Sequence, residues 1–575
     1  MKFFKRLGSL MLAALMLVAF QIPAPAAMTG TLPASTDKAA VTINGLSKGD
    51  SVTFYQIVKA KYDTDKGFTG FEAVKDSTIE LFDKDGKAIY PSAEQIAALS
   101  TDTAIINPTD KTMKVGPVTA GDNGTVSQEL AAGEWMALVT AADGTKTIYN
   151  PMVLSVYYAD KDGKIVINDG SINAGDSYTI NGTTSYVKKS TIPGKKEITG
   201  NSKNDVANKK GDDHAVGDTV NFEITSMVPS YGPEYKDGTV FYNISDKMDA
   251  GLTYQKDAKV YIGGSTEALA AENYTLTNNA DGFKIEFTEA YIRSLATKTD
   301  AEGKVTATTD AERAVVVKYS AKINENATVN FDSNDNTMTV NFANNLNEKD
   351  GGEEITDKTH HYTFEIDGRI NGSQTVNNRK THEIIKVNEK GEPVGEPEWV
   401  VDEAGTTETK IDNGLAGATF TLTLKKDGKG NDVANGKTYE ATTDGNGYFN
   451  GFTGLDAGTY ELVETVAPKG YSLNTQKHTV VITAKYNDDG TLQSYEIKID
   501  GQNTSHYTAT YNADKEITKI EVGTPVTTYI KNTKLNELPS TGSIGTYLFT
   551  AIGVAATAAA IGLVLADKRR KNGVR

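Results

Sequence analysis

Short runs in which apolar and polar residues alternate dominate this chain, with turn residues between them. Val41 to Gly45 (VTING) and Ser51 to Val58 (SVTFYQIV) alternate like paired strands, and Gly133 to Val139 and Tyr149 to Val156 add further runs. A period of two puts alternate side chains on one face, so each run predicts a half-buried strand. Pro91 to Ser100 (PSAEQIAALS) is spaced for a short helix. The alternation resumes at Asp218–Ile224, Val240–Ile244, Phe283–Phe287, Ala314–Ala321 and Thr337–Phe342, with Tyr362–Ile366 leading onward. It returns at His382–Val387, Gly417–Leu422 and Thr528–Asn532, while Asp444-Gly445-Asn446-Gly447 and Asp488-Asp489-Gly490 predict hairpin turns. Long helical patterns are few. The expected fold is mostly β, with tandem immunoglobulin-like β-sandwiches in a row making an elongated rod.

A basic stretch punctuated by Pro and Gly, Lys188 to Lys196 (KKSTIPGKK), marks a boundary. It divides the middle of the chain into units at 38–187, 188–378 and 379–534. The ends differ from this pattern. Lys2, Lys5 and Arg6 precede an apolar run from Leu7 to Ile22, then Ala24-Pro25-Ala26. That is a signal peptide over 1–26, cut after Ala26 or after Ala27. At the other end, residues 538–575 hold Leu538-Pro539-Ser540-Thr541-Gly542, an apolar run from Ile544 to Ala566, and Lys568-Arg569-Arg570-Lys571. The run is long enough for the roughly 20 residues a helix needs to cross a bilayer. The basic cluster would stay on the cytoplasmic side. Pro539 favours an extended pentapeptide that a protease-like cleft can take.

Composition narrows the function classes. The chain has no cysteine, so an exported protein must hold its domains by means other than disulfides. Its net charge of −16 and lack of a basic face argue against nucleic acid. A Gly-rich phosphate loop, zinc spacing and a nucleophile elbow are all absent, so no enzyme and no cofactor are expected. His360-His361 reads as part of a solvated strand rather than a metal pair. Asp63-Thr64-Asp65-Lys66-Gly67 lacks the later ligands and closing Glu of a calcium loop and reads as a turn.

One internal stretch carries chemistry. In Tyr460-Glu461-Leu462-Val463-Glu464, Tyr460, Leu462 and Glu464 share a face. If that face is inward, the Glu464 carboxyl must be neutral or paired; at a strand edge it would be partly wet. The run Tyr460 to Tyr471 (YELVETVAPKGY) resembles the E-box of Gram-positive pilins at every position. Lys386 and Leu415–Phe420 resemble the first strands of the associated collagen-adhesin-like domain, separated by a longer insertion at 391–412. Tyr529–Thr533 resembles its last strand. The resemblance implies a self-formed isopeptide bond between Lys386 and Asn532, with Glu464 catalytic. Burial favours a neutral amine and a protonated carboxyl. The amine would attack the side-chain amide and ammonia would leave, with the acid supplying a proton.

A looser likeness to a pilin middle domain puts Lys196, Asp246 and Asn336 in the same three roles, with Lys195 competing for the first. No trio is nominated in the first unit. The C-terminal tripartite signal resembles the sorting signal of Gram-positive surface proteins, in which a sortase cleaves between Thr541 and Gly542 after a transient membrane stay. The family's acceptor lysine sits in a Val-Tyr-Pro-Lys motif that is absent here. At the corresponding junction stand Lys188 and Lys189, with Lys189 the better match. The resemblance therefore implies a wall-anchored shaft subunit on the bacterial surface. Its partners would be a pilin-class sortase, copies of itself, accessory pilins and peptidoglycan. The alternatives are a wall-anchored adhesin or accessory pilin that binds host matrix or glycans, which needs no acceptor lysine, and a wall-anchored enzyme, against which the missing motifs argue.

Overall fold

The computed structural model describes the chain except for residues 1–27, 30, 77, 143–145, 169–171, 201–208, 233–234, 300, 302, 345–348, 350–351, 368, 371–378, 381–382, 392–412, 502, 524–526, 536–544 and 573–575. The signal peptide, most of the 391–412 insertion and the pentapeptide Leu538–Gly542 thus lie outside the described residues. A helix spans Gly545–Asn572, and its side chains are described from position 552. Among the described residues no helix is long and apolar enough to cross a membrane.

Two compact units are present. One comprises Met1–Thr363, Gly454–Asp456 and Lys485–Gln493; the other comprises Phe364–Thr453, Ala457–Ala484 and Ser494–Arg575. The first unit holds two sets of sheets. In the N-terminal set, a sheet runs in the order Met28–Thr29, Ser177–Gly182, Met152–Asp160, Gly133–Thr140, Ser51–Asp63, Gly67–Ala73, with Lys114–Thr119 also paired to Ser51–Asp63. Thr184–Tyr186, Lys38–Asn44 and Thr125–Ala131 form a second sheet. Val41, Ile43, Val52, Phe54, Trp135, Val156 and Tyr158 form one core, but 54–58 and 133–137 are buried at every position rather than at alternate ones, because a second core covers their other face. The helix Ala93–Thr101 appears where its spacing predicts it. Ser92 and Gln95 close it with a reciprocal capping box, satisfying two otherwise orphaned backbone donors. Its Ile96 and Leu99 join Ile57, Ile79, Leu81 and Met136 in a further core.

The strand Lys189–Thr191 pairs with Thr147–Tyr149, placing Lys189 opposite Tyr149. The boundary at 188 assigns this strand to the second sequence unit, but its pairing is with the first.

In the second set, one sheet runs Gly194–Thr199, Thr219–Met227, Ala314–Ile323, Leu252–Tyr254, with Lys259–Ile262 on the same Ala314–Ile323 strand. The other runs Gly211–Asp213, Gly352–Tyr362, Asn334–Ala343, Tyr242–Met248, Gly282–Phe287, Tyr274–Asn278. Burial alternates cleanly along Thr219–Met227 and Asn334–Ala343. Their inward faces supply a common core that includes Phe222, Ile224, Val317, Tyr319, Met338 and Val340.

Most of an antiparallel sheet lies in the second unit, its strands Phe449–Asn450, Thr438–Thr443, Thr419–Asp427, Gly458–Val466, Lys477–Tyr486, Leu492–Ile499, Asn503–Tyr511 and Ile517–Val522 in that spatial order. Ile384–Val387 and Thr528–Lys531 form a separate parallel pair, with Lys386 opposite Ile530. Asp444 to Gly447 and Asp488 to Gly490 turn the chain between neighbouring strands, as their composition predicts.

Candidate functional site

The parallel pair presents Lys386 to the long sheet. Ile384–Val387 is buried at all four positions. Its backbone is fixed by Lys386 N–H donating to Gly447 O at 2.8 Å and Leu415 N–H donating to Lys386 O at 2.9 Å. Asn532 follows the partner strand directly, and its N–H donates to Val387 O at 3.0 Å. Glu464 lies on Gly458–Val466, opposite Phe420. Tyr460 and Leu462 share its buried face, so the inward reading of the stretch holds.

The three side chains meet. Lys386 Nζ donates to Glu464 Oε2 at 2.7 Å and to Asn532 Oδ1 at 2.5 Å. Asn532 Nδ2 donates to Glu464 Oε1 at 2.6 Å. The Lys386 and Glu464 side chains are 0% and 1% exposed. Nζ also lies 5.2 Å from the centre of the Phe420 ring. Burial pushes the Lys386 amine below the usual lysine range, against the opposing pull of Glu464. Replacing a buried ion pair by apolar residues is often neutral or stabilising, so stability alone gives no reason for this one. What sets this pair apart is the mutual hydrogen-bond contact of an amine, a side-chain amide and a carboxyl.

A second constellation lies between the two sheets of the middle set. Lys196 projects from Gly194–Thr199, and Asp246 and Asn336 from the facing sheet two register positions apart. Lys196 and Asp246 are both 0% exposed and share a hydrogen bond from Nζ to Oδ2. Lys195, the competing lysine, is exposed and pairs with Glu197 at 2.7 Å. Burial pulls the Lys196 amine down to about 8, opposed by Asp246, and pushes the Asp246 carboxyl up, opposed by Lys196. The backbone of Lys196 is held on both sides: its N–H donates to Asp357 Oδ2 at 2.7 Å, and its carbonyl accepts from Lys210 Nζ at 2.7 Å.

A fourth member was not singled out from sequence. The Tyr319 hydroxyl lies 2.5 Å from Lys196 Nζ and donates to Asp246 Oδ2 at 2.6 Å, and Asn336 Nδ2 donates to it at 3.3 Å. Its signal was available: Val315, Val317, Tyr319 and Ala321 are the inward positions of one strand, and only Tyr319 has a polar tip.

Lys189 is exposed and Lys188 half-buried. Lys189 Nζ donates to Ser47 Oγ at 3.3 Å and lies 5.9 Å from the centre of the Tyr149 ring. The Tyr149 hydroxyl donates to the buried Asp50 carboxylate, which also accepts from Ser47 N–H at 2.6 Å.

The histidine reading needs correction. His360 and His361 are buried, at 3% and 0% exposed, rather than on a solvated strand. Strands pair on both sides of the one that carries them. His360 Nδ1 bonds Asp335 at 2.7 Å and His361 Nε2 bonds Thr359 at 3.0 Å. No cluster of three or more metal-ligating side chains occurs among the described residues. Sequence reading also missed Glu134 in the first set, a fully buried carboxyl whose oxygens have no hydrogen-bond partner among the described residues. Burial pushes it well above the usual carboxylate range.

Comparisons with known proteins agree with this architecture. Residues 404–500 match a prealbumin-like fold domain, 530–572 the LPXTG cell wall anchor motif, and 36–190 the T6 antigen Ig-like domain. Fold and motifs together define a multidomain β protein that carries a cell wall anchor motif. In particular, the chain is 27% identical over 595 aligned positions to the trypsin-resistant surface T6 protein of Streptococcus pyogenes serotype M6, covering 93% of this chain and 95% of that one. It shares a fold with the solved T6 backbone pilin of the same serotype, at TM-score 0.54 and 20% identity, over 88% of this chain and 100% of that one.

Proposed function

We propose that the chain is the structural shaft subunit of a covalently polymerised surface pilus, its domains stapled by Lys386–Asn532 and Lys196–Asn336 isopeptide bonds. The observation that carries the staple is the closed contact of Lys386, Glu464 and Asn532 in a buried site. A neutral Lys386 amine attacks Cγ of Asn532, Glu464 moves the proton, and the amide nitrogen leaves as ammonia. This chemistry happens once, on the chain itself, and turns over no substrate. Between subunits, a sortase would cleave after Thr541 and transfer its acyl group to Lys189 of the next copy. Exposure favours Lys189 over Lys188, since an acyl-enzyme must reach the amine. An acceptor and a donor at separate places on the chain suit an open head-to-tail filament.

Immunoblots of cell-wall extracts test the shaft reading. The wild type should give a ladder of high-mass species, and Lys189→Arg a single anchored band. A single wild-type band would favour the adhesin alternative. A ladder lost with Lys188→Arg but kept with Lys189→Arg would move the acceptor by one residue. A ladder in the double variant would place it elsewhere.

A further inference from the structure

The two buried sites solve one geometric problem differently. A single acid must reach both the attacking nitrogen and the leaving nitrogen. In the third-domain site one carboxyl does so, since Glu464 Oε2 takes Lys386 Nζ and Oε1 takes Asn532 Nδ2. Asp246 is one methylene shorter. Its Oδ2 takes Lys196 Nζ, while its Oδ1 has no hydrogen-bond partner among the described residues. The leaving nitrogen of Asn336 bonds the Tyr319 hydroxyl at 3.3 Å, and that hydroxyl bonds Asp246 Oδ2 at 2.6 Å, while Asn336 lies near enough to Asp246 to pull its carboxyl down.

We infer that Tyr319 is a catalytic residue of the Lys196–Asn336 cross-link, a proton bridge that the shorter acid requires. The assignment rests on the reading that these two residues join. The hydroxyl touches the attacking nitrogen, the leaving nitrogen and the acid. Its ring is held in place, stacked on Phe222 at 5.1 Å and edge-on to Phe283 at 4.9 Å. At the other site the ring beside Lys386 Nζ is Phe420, which has no hydroxyl.

The step balances. Neutral Lys196 attacks Cγ of Asn336 and the Nζ–Cγ bond forms. Tyr319 gives its hydroxyl proton to Nδ2 and takes the proton of Asp246 in exchange. Cγ–Nδ2 breaks, ammonia leaves, and Asp246 recovers a proton from Nζ. Amine and primary amide become a secondary amide and ammonia, and both Tyr319 and Asp246 end as they began.

The test uses the full exported chain, with tryptic mapping of the branched Lys196–Asn336 peptide over time and the Lys386–Asn532 peptide as an internal reference. Tyr319→Phe should slow the middle cross-link by roughly 10²-fold, the low end for a positioned proton donor, and leave the reference unchanged. Adding Asp246→Glu to Tyr319→Phe lengthens the acid by the missing methylene and should restore the cross-link. Wild-type rates in Tyr319→Phe would overturn the assignment. So would a double variant that stays linear, which also covers the case in which the single variant merely packs badly. Absence of the branched peptide from the wild type would overturn the middle-domain bond itself, a result distinct from either of these.

Discussion

Glu464→Gln isolates the chemistry of the third-domain site. The substitution keeps side-chain volume and a polar tip but removes the acid. Lys386 and Asn532 are 146 positions apart in sequence. A cross-link closing a loop of that length restricts the unfolded chain by about 5 kcal/mol in the chain-entropy model. For a domain of this size that corresponds to a fall in Tm of roughly 10–20 °C when the bond is missing. Glu464→Ala would be less informative, because it also opens a cavity beside the buried amine. The primary assay is intact mass of the full exported chain against the mass calculated from its sequence. Each bond lowers the mass by about 17 Da, one ammonia. With both proposed bonds the wild type should show two losses and Glu464→Gln one. A Gln variant that still carries the branched Lys386–Asn532 peptide would remove Glu464 from the mechanism. Linear peptides at both positions in the wild type would remove the bond.

Blocking the middle bond with Asn336→Ala should expose the titration of Lys196. Its folded value near 8 lies below the ordinary lysine value of about 10.4, so between those pH values the unfolded chain binds more protons. Stability of the uncross-linked middle domain should therefore rise from pH 8 to about 10.4, with no contribution to the slope from this group below 8; a flat or falling urea midpoint across that window would refute the assignment. Ser92→Ala removes one half of the capping box on Ala93–Thr101 and should cost about 1 kcal/mol. Thermal unfolding of the full chain checks this, and an unchanged midpoint would mean that the helix is held by its buried face alone.

Much of the architecture was legible because strands advertise themselves locally. Where one face is buried, the period of two must appear in sequence, and it did at Asp218–Ile224 and Thr337–Phe342. The short helix after Pro91 was equally local, since its cap residues and apolar spacing lie within ten positions. Lys386, Glu464 and Asn532 could be named because the motifs around them resemble those of a known family.

What sequence alone could not decide depends on partners far along the chain. Glu464 on an apolar face was compatible with a wet strand edge; only the parallel strand bearing Lys386, brought across from 78 positions away, makes it a buried, paired acid. Lys195 and Lys196 are adjacent and chemically alike, and strand register alone turns one outward to Glu197 and the other inward to Asp246. His360 and His361 looked solvated because part of their cover, the strand Gly211–Asp213 and the Phe222 ring, comes from far along the chain. Tyr319 joined the middle site for the same reason: its hydroxyl meets Asp246 from a position 73 residues away. Local sequence determined which residues form strands and which faces turn inward. Which inward polar groups confront one another was decided by the pairing of sheets, a long-range choice that no local period encodes.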